Sequence, residues 1–392
     1  MIEIKDKSKC SGCSACYSVC PKNCISMIED EEGFLYPTVN KDDCIECGLC
    51  EKVCPLEEHN NKKNGVVSSC IIQNKDKEVL LQSTSGGSFT PIAEYVLRQN
   101  GVVFGVEMTS DDFIIRHTKV EKKEELLKFR SSKYVQSSVG DTFKDAKNEL
   151  ENGRMVCFSG TPCQIQGFKN FLKKDYENLI TVDVVCRGVP SPGMWRDYVE
   201  KLQQLDKVQE VVFRDKGLGY QYSTMKVKYA NGAVKRNGIE SDQWLRMFFS
   251  GLSLRPSCPT CNFRTTDRCS DFTIWDCFNV SDLTNTLDET KGATRMLIHT
   301  QKGMQIFDKI KCSFNFVEAP TNVVAKGIKE TFFLNKNRNN FISDYKSMSM
   351  DSLLEKWVPM SVKVYLKKYA RRVLNVIGLD LIVKKVKRKI KG

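Results

Sequence analysis

From about residue 66 onward, the chain alternates between short apolar runs and longer segments whose apolar positions are three or four residues apart. The runs VVSSCIIQ, GVVFGVEM, RMVCFSG and NLITVDVVC are typical of strands. The segments GGSFTPIAEYVLRQN, TFKDAKNELENG and TPCQIQGFKNFLKK predict helices. KVKYANGAVKRNG predicts a hairpin that turns at Asn231–Gly232. This alternation predicts an α/β or α+β domain with a mixed sheet.

The first 57 residues follow another pattern, in which two cysteine runs flank one hydrophobic stretch. The spacing C-x2-C-x2-C-x3-C-P begins at Cys10 and is repeated from Cys44. The intervening CISMIEDEEGFLYPTV predicts two short strands around a turn at Glu31–Gly33. This arrangement is typical of the small, pseudo-symmetric bacterial ferredoxin domain.

The spacing of the two cysteine runs matches that of bacterial [4Fe–4S] proteins. Structural zinc usually takes two Cys pairs with a longer spacer, and disulfide frameworks suit small secreted chains, so both alternatives fit less well. In such ferredoxins the fourth Cys of each run binds the other cluster. The two predicted ligand sets are Cys10, Cys13, Cys16 and Cys54, and Cys20, Cys44, Cys47 and Cys50. Cys24 lies outside both sets and is predicted to be a packed thiol.

Composition supports metal binding rather than disulfide bonding. The chain has 392 residues and 18 Cys, and it opens on MIEIKDKSKC without an apolar signal segment. These features predict a cytoplasmic protein in a reducing compartment. No apolar run reaches the roughly 18 residues that a transmembrane helix needs.

The formal net charge of +12 is concentrated near the C-terminus. Residues 352–392 hold twelve Lys or Arg and two acidic residues, so the remainder of the chain is nearly neutral. Because apolar and basic residues interleave there, the segment is predicted to be an amphipathic helix on the inner face of the cell membrane. A solvated helix packed on its own domain is the alternative. Nucleic-acid binding is not expected, since no base-reading motif accompanies the charge.

These patterns divide the chain into three parts. Residues 1–57 are the predicted two-cluster ferredoxin domain, and the polar Glu57–Gly65 is the predicted linker. Residues 66–345 form the predicted mixed-sheet domain, and residues 346–392 the predicted basic helical tail.

Three loops in the second part follow predicted strands or precede predicted helices. STSGGSF (83–89) has two glycines and several hydroxyls at a helix start, which suits either phosphate binding or a plain helix cap. FSGTPCQIQG (158–167) and VVCRGVPSPGMW (184–195) follow predicted strands, where open α/β sheets bind ligands.

Four further cysteines have a spacing that can hold a third metal group. Cys163 and Cys186 lie in two of these loops, and RPSCPTCNF adds the C-x2-C pair Cys258 and Cys261. A third [4Fe–4S] cluster is the preferred prediction. Zinc and unmetallated buried thiols remain alternatives.

The motifs STSGGSF, SSKYVQS (131–137), FSGTPCQIQG, VDVVCRGVPSP and LRPSCPTCNF, in this order, resemble the coenzyme F420 hydrogenase/dehydrogenase β-subunit family with a fused ferredoxin. The resemblance implies a flavin-binding domain that carries FAD. It places the following residues at the flavin: Ser85, Gly86, Gly87, Lys133, Tyr134, Gly160, Thr161 and Gln164. Lys133 would act catalytically, because a positive charge stabilises a developing flavin anion. Without the resemblance, Lys133 is equally well explained as a solvated surface residue.

The predicted function is an iron–sulfur flavoprotein oxidoreductase that relays electrons between [4Fe–4S] clusters and a flavin. The resemblance implies an F420-like deazaflavin or a polysaccharide-biosynthesis intermediate as substrate. Soluble ferredoxin or a dehydrogenase subunit is the expected electron partner. The alternative is an electron-transfer subunit that feeds a partner enzyme and has no substrate of its own.

Overall fold

The computed structural model describes residues 1–57, 63–329, 333–379 and 383. Its strands are β1 (Ile25–Glu29), β2 (Leu35–Val39), β3 (Ser68–Asn74), β4 (Val102–Met108), β5 (Ile115–Val120), β6 (Val156–Gly160), β7 (Leu179–Val184), β8 (Val208–Asp215), β9 (Thr224–Tyr229), β10 (Val234–Asn237), β11 (Phe272–Asp276), β12 (Thr294–Ile298) and β13 (Phe314–Glu318).

The α-helices alternate with these strands over much of the chain. They are α1 (Ala15–Val19), α2 (Leu49–Lys52), α3 (Lys77–Gln82), α4 (Phe89–Arg98), α5 (Thr142–Glu151), α6 (Pro162–Leu172), α7 (Pro192–Gln203), α8 (Gln243–Phe249), α9 (Gln301–Ile310), α10 (Thr321–Val324), α11 (Arg338–Ser347), α12 (Met350–Trp357) and α13 (Val362–Val376).

The N-terminal region has the predicted pseudo-symmetric arrangement. Strands β1 and β2 pair antiparallel, with Ile25 opposite Val39, so the predicted pair of strands is confirmed. Each cysteine run leads into a short helix, α1 or α2. A left-handed residue precedes each helix, Ser14 at φ 63° and Gly48 at φ 69°, and turns the chain sharply at that point.

An eight-stranded mixed sheet forms the centre of the molecule, in the order β13-β3-β12-β11-β7-β6-β4-β5. The neighbours β11, β7, β6 and β4 are parallel, whereas β12, β13 and β5 pair antiparallel with their neighbours. The predicted mixed sheet and fold class are therefore confirmed.

The central strands are continuously apolar because helices cover both faces of the sheet. On one face, Val103 and Cys157 pack with side chains of α4 and α9. On the other face, Phe104 and Phe158 pack with side chains of α5 and α6. Alternate residues of one strand thus enter opposite cores.

A second, antiparallel sheet β8–β9–β10 packs with the C-terminal helices. Val234 lies opposite Lys228, which confirms the hairpin around Asn231–Gly232. Its core includes side chains from α7, α8, α11 and α12. The proposed boundary at residues 345/346 falls inside α11, a helix that shares this core with α12.

The ferredoxin-like region packs directly on the large sheet's helices. Cys13 and Ala15 belong to the same core as Phe158 and Phe168. Gly167 in α6 makes this approach possible, because a Cβ there would lie 2.9 Å from the Cys13 sulfur. The proposed linker, residues 57–65, lies largely outside the described residues.

Helix α13 is held to the body on one side only. Arg371 pairs with Glu240 at 2.7 Å, and Asn375 donates to the Leu218 carbonyl at 2.9 Å. An outward row of apolar side chains is 57–82 % exposed: Val362, Leu366, Tyr369, Val373 and Val376. Within the described ranges no helix is long and apolar enough to cross a membrane. The remaining basic residues of the predicted tail, after 379, lie almost entirely outside these ranges.

Candidate iron–sulfur and cofactor site

The first predicted ligand set is brought together in space. Burial raises the pKa of the Cys13 thiol, and the neighbouring sulfurs of Cys16 and Cys54 raise it further. Burial likewise raises the pKa of Cys16 to about 12, with Cys10 and Cys54 adding to the effect. These four cysteines, Cys10, Cys13, Cys16 and Cys54, are called the first cysteine group.

The second predicted set lines one pocket. The pocket walls include Cys20, Cys44, Cys47 and Cys50, called the second cysteine group. Cys24 lies in the same pocket, and its sulfur is 3.4 Å from that of Cys20. Cys24 is buried, as a packed thiol would be, but it also touches a predicted ligand.

The third predicted set comes from three separate parts of the chain. Cys163 lies in the first turn of α6, Cys186 follows β7, and Cys258 and Cys261 lie in the loop after α8. Burial raises the pKa of Cys186, and all three other sulfurs raise it further. This is the third cysteine group. In the described part of the chain, no three Cys, His, Asp or Glu side chains are positioned to hold a single metal ion.

The first and third groups are neighbours. Cys13 is within electrostatic reach of Cys163, which starts the helix that carries Gly167. The helix α6 therefore contacts the first group one turn after it contributes to the third. The donor chemistry of each group, four Cys sulfurs, suits an iron–sulfur cluster.

The glycine-rich loop is fastened to the ends of β3 and β12. The Gly86 amide donates to Thr294 Oγ1 at 2.8 Å, and its carbonyl accepts from the Asn74 amide at 2.8 Å. Ser85 Oγ lies 2.8 Å from the same Thr294 hydroxyl. Gly87 has φ 71°, a conformation that favours glycine.

The segment that contains Lys133 lies against this loop. The Ser132 amide donates to Thr84 Oγ1 at 2.7 Å. Lys133 Nζ donates to the carbonyls of Lys128 at 2.7 Å and Arg130 at 2.9 Å. Burial lowers the pKa of Lys133 to about 7, while Glu107 raises it. Lys133 is therefore a half-buried amine bonded to carbonyls of its own segment, rather than a fully solvated side chain.

Tyr134 belongs to an aromatic cluster beneath the same segment. Its ring centroid is 4.9 Å from that of Phe248, and its hydroxyl accepts from Arg214 at 3.0 Å. Arg214 also pairs with Asp276 at 3.1 Å. Tyr134 is thereby connected to the end of β11.

Gly160, Thr161 and Gln164 shape the start of α6. Thr161 and Gln164 form a capping box, in which Gln164 Oε1 accepts from the Thr161 amide at 3.0 Å. Gln164 Nε2 donates to Ser137 Oγ at 3.1 Å. The structure thus places all three candidate segments side by side, although Gln164 is occupied by structural hydrogen bonds.

Four polar residues of this region were not predicted from the sequence. The buried Arg130 Nε and Ser131 Oγ have no hydrogen-bond partner among the described residues. Lys216 donates to the Ser85 carbonyl at 2.7 Å, and Arg214 bonds Tyr134. Two sequence features could have identified them: Ser131 begins the motif SSKYVQS, and the charged RDK (214–216) follows an apolar run.

The glycine-rich loop and the third cysteine group both lie at the edge of the large sheet where its parallel strands end. Strands β3, β11, β7 and β6 run in the same direction, so their carboxyl ends meet at this edge. The glycine-rich loop is at the β3 and β12 side, and the third cysteine group is at the β7 and β6 side. This is the edge where open α/β sheets bind ligands.

Arg130 Nε and Ser131 Oγ, which have no partner among the described residues, lie in the segment that contacts the glycine-rich loop and fit an anionic cofactor such as a dinucleotide. The three sets of cysteine sulfurs fit iron–sulfur clusters.

Comparison with known proteins gives two domain matches. Residues 9–57 match the family of 4Fe-4S dicluster domains. Residues 153–321 match the family described as the C terminus of the coenzyme F420 hydrogenase/dehydrogenase beta subunit.

Among individual proteins, a coenzyme F420-dependent sulfite reductase from Methanocaldococcus jannaschii is 24 % identical over 368 residues. The alignment covers 88 % of this chain but 53 % of the reductase, so the chain spans about half the length of that relative. A ferredoxin from Mycolicibacterium smegmatis is 38 % identical over 56 residues, which are 14 % of this chain and 42 % of the ferredoxin.

Among solved structures, the chain is similar to one chain of the F420-reducing [NiFe] hydrogenase complex from Methanosarcina barkeri. Its matched chain has a TM-score of 0.44 and 16 % identity, with 73 % of this chain and 94 % of that chain covered. By the two domain matches, residues 9–57 are a 4Fe-4S dicluster domain, and residues 153–321 correspond to the C-terminal domain of the coenzyme F420 hydrogenase/dehydrogenase beta subunit.

Proposed function

We propose that this chain is an iron–sulfur flavoprotein oxidoreductase with FAD at the glycine-rich loop and three [4Fe–4S] clusters at the three cysteine groups. When bound, FAD exchanges hydride with a small molecule, and the clusters exchange single electrons. The observation that carries the proposal is the order of groups along one sheet edge, from the loop to the third and then the first cysteine group.

The chain's own residues support a flavin dinucleotide at this edge. Within the part of the chain that the structure describes, Arg130 Nε and Ser131 Oγ are buried donors without partners, which suits the pyrophosphate. Lys133 supplies a half-buried amine whose pKa burial lowers to about 7. An anionic flavin near it would favour the protonated amine, and that charge would in turn stabilise the reduced flavin. Gly86 and Gly87 keep the loop close to the strand ends without side chains.

Deazaflavin F420 is our proposed small-molecule electron donor or acceptor. The sulfite reductase that matches this chain is F420-dependent by name, and the alignment covers about half of the length of the reductase. We therefore propose the deazaflavin, and not sulfite, as a substrate of this chain. No described residue supports a polysaccharide-biosynthesis intermediate, and that implication of the resemblance stays a prediction.

The second cysteine group gives the proposed docking point for the electron partner. Cys47 is exposed, whereas the sulfurs of the first group are more enclosed. A cluster at this position is open to a soluble ferredoxin or to one subunit of a dehydrogenase. The alternative function, an electron-transfer subunit without its own substrate, would require a partner to cover the glycine-rich loop.

Helix α13 supports a peripheral contact with the inner face of the cell membrane. Its apolar row faces outward, and Lys363 and Lys367 on the same helix are suited to anionic lipid. Each basic residue near such a surface contributes about 1 kcal/mol.

Vesicle binding tests this membrane contact. We expect the chain to sediment with phosphatidylglycerol vesicles and to lose this binding when Leu366 and Val373 are both changed to Glu. The matched control is Leu205→Glu, because Leu205 is 63 % exposed in another part of the fold. Equal sedimentation of all three proteins would exclude α13 from the contact.

Cofactor analysis after anaerobic purification tests the main proposal. We expect about twelve iron atoms and about one FAD per chain, because three [4Fe–4S] clusters hold four irons each. About eight irons with one zinc and no flavin would contradict the proposal. That result would instead support an electron carrier with a structural metal site.

A further inference from the structure

Arg255 lies between the first and third cysteine groups and is 0 % exposed. Its Nε donates to the Cys10 carbonyl at 2.7 Å, and one terminal nitrogen lies 3.5 Å from the Cys10 sulfur. The other terminal nitrogen donates to Gln136 Oε1 at 3.0 Å. Its guanidinium carbon is 4.2 Å from the centroid of the Tyr36 ring.

The same residue also begins the loop of the third group. The Cys258 amide donates to the Arg255 carbonyl at 3.0 Å. The Arg255 charge opposes the burial that raises the pKa of Cys163 and Cys258. Arg255 therefore touches one group with its side chain and the other with its backbone.

The charge of Arg255 has no carboxylate partner among the described residues. Its hydrogen-bond acceptors are the carbonyls of Cys10 and Leu35, the Gln136 amide oxygen and the Cys10 sulfur. An enclosed cation without a countercharge is costly. A cluster with four thiolate ligands is anionic and supplies the missing countercharge.

We propose that Arg255 sets the midpoint potential of the cluster at the first cysteine group, raising it by placing a buried positive charge and a hydrogen-bond donor against Cys10. The inference rests on the clusters of the proposed function. Reduction adds negative charge to a cluster, so a nearby cation stabilises the reduced form. Hydrogen bonds to the sulfurs act in the same direction.

Charge and geometry can be separated by two substitutions. Arg255→Gln removes the charge but keeps a donor for the Cys10 carbonyl. Arg255→Lys keeps the charge but loses the planar guanidinium, which donates in several fixed directions. The control is Arg338→Lys. Arg338 is also buried and also fastens the ferredoxin-like region, through Glu32 and the Leu254 carbonyl, but no described contact joins it to a cysteine of the first group.

The measurement is an anaerobic redox titration followed by electron paramagnetic resonance, with iron counted per chain. In Arg255→Gln we expect the reduced-to-oxidised ratio of one cluster to fall at least tenfold at fixed potential, which is about 59 mV for one electron. Arg255→Lys should shift less. The second-group cluster, assigned through loss of its signal in Cys47→Ala, should not move and serves as an internal reference.

Several outcomes would overturn the inference. An unchanged potential in Arg255→Gln would show that the Arg255 charge has no effect on the cluster. An equal shift in Arg338→Lys would show that the shift comes from weaker packing of the ferredoxin-like region. Loss of one cluster in Arg255→Gln alone would make Arg255 an assembly residue instead. Absence of FAD or of a third cluster in the unsubstituted protein would contradict the proposed function without affecting this test, because the first cluster is measured directly.

Discussion

Cys258→Ala is expected to lower the iron content from about twelve to about eight atoms per chain, because one of three [4Fe–4S] clusters is lost. Cys258 lies within electrostatic reach of Cys163, Cys186 and Cys261, so its removal leaves three sulfurs for a group that needs four. The flavin should remain bound. Its reduction by chemically reduced ferredoxin should become at least a hundredfold slower, because in the proposed electron relay the third cluster is the step between the flavin and the first cluster.

The control for this variant is Cys312→Ala. Cys312 is exposed and lies next to β13, at the far edge of the sheet from α6. It should keep all iron and normal electron transfer. Loss of one zinc instead of four irons in Cys258→Ala would identify the third group as a zinc site. Unchanged metal content would leave these cysteines as ordinary thiols.

The sequence predicted those features that depend on local spacing. The cysteine runs, the strands around Glu31–Gly33 and the turn at Asn231–Gly232 each lie within a few residues, so their patterns are complete in one window. Strands β11 and β12 were not predicted. Each has five residues and derives its place from pairing with β7 and β3, which are distant in sequence.

In the candidate site, too, the sequence predicted local motifs but not the contacts between distant segments. The third cysteine group combines Cys163 with Cys261, which only the topology of the sheet brings together. Arg255 lies inside a motif that was noticed for its cysteines, but its importance comes from the docked position of Cys10. No periodicity or spacing shows that this buried cation lacks a carboxylate partner among the described residues.

Gly86→Ala is expected to release FAD while leaving the iron content unchanged. A Cβ at this position would lie 2.5 Å from the Ile72 carbonyl oxygen and 2.6 Å from the Thr294 amide nitrogen. Ile72 and Thr294 are paired residues of β3 and β12, so their backbones cannot move without breaking the sheet. The loop must shift instead. Overpacking of this kind costs about 1–3 kcal/mol, which corresponds to roughly a 5- to 150-fold loss of FAD affinity.

Gly65→Ala is the matched control for this substitution, since a Cβ there has no neighbour within 4 Å among the residues that the structure describes and the backbone is not left-handed. Lys133→Ala should also weaken FAD binding or slow flavin reduction, but without the steric shift, because it removes an amine from the segment that contacts the same loop through Ser132. Fluorescence titration with FAD after cofactor removal measures all three affinities. If Gly86→Ala binds FAD as tightly as Gly65→Ala does, the flavin lies elsewhere. If Gly86→Ala weakens FAD binding and Lys133→Ala binds FAD as tightly as the control, the flavin is at the loop and Lys133 is a structural residue that donates to the carbonyls of Lys128 and Arg130.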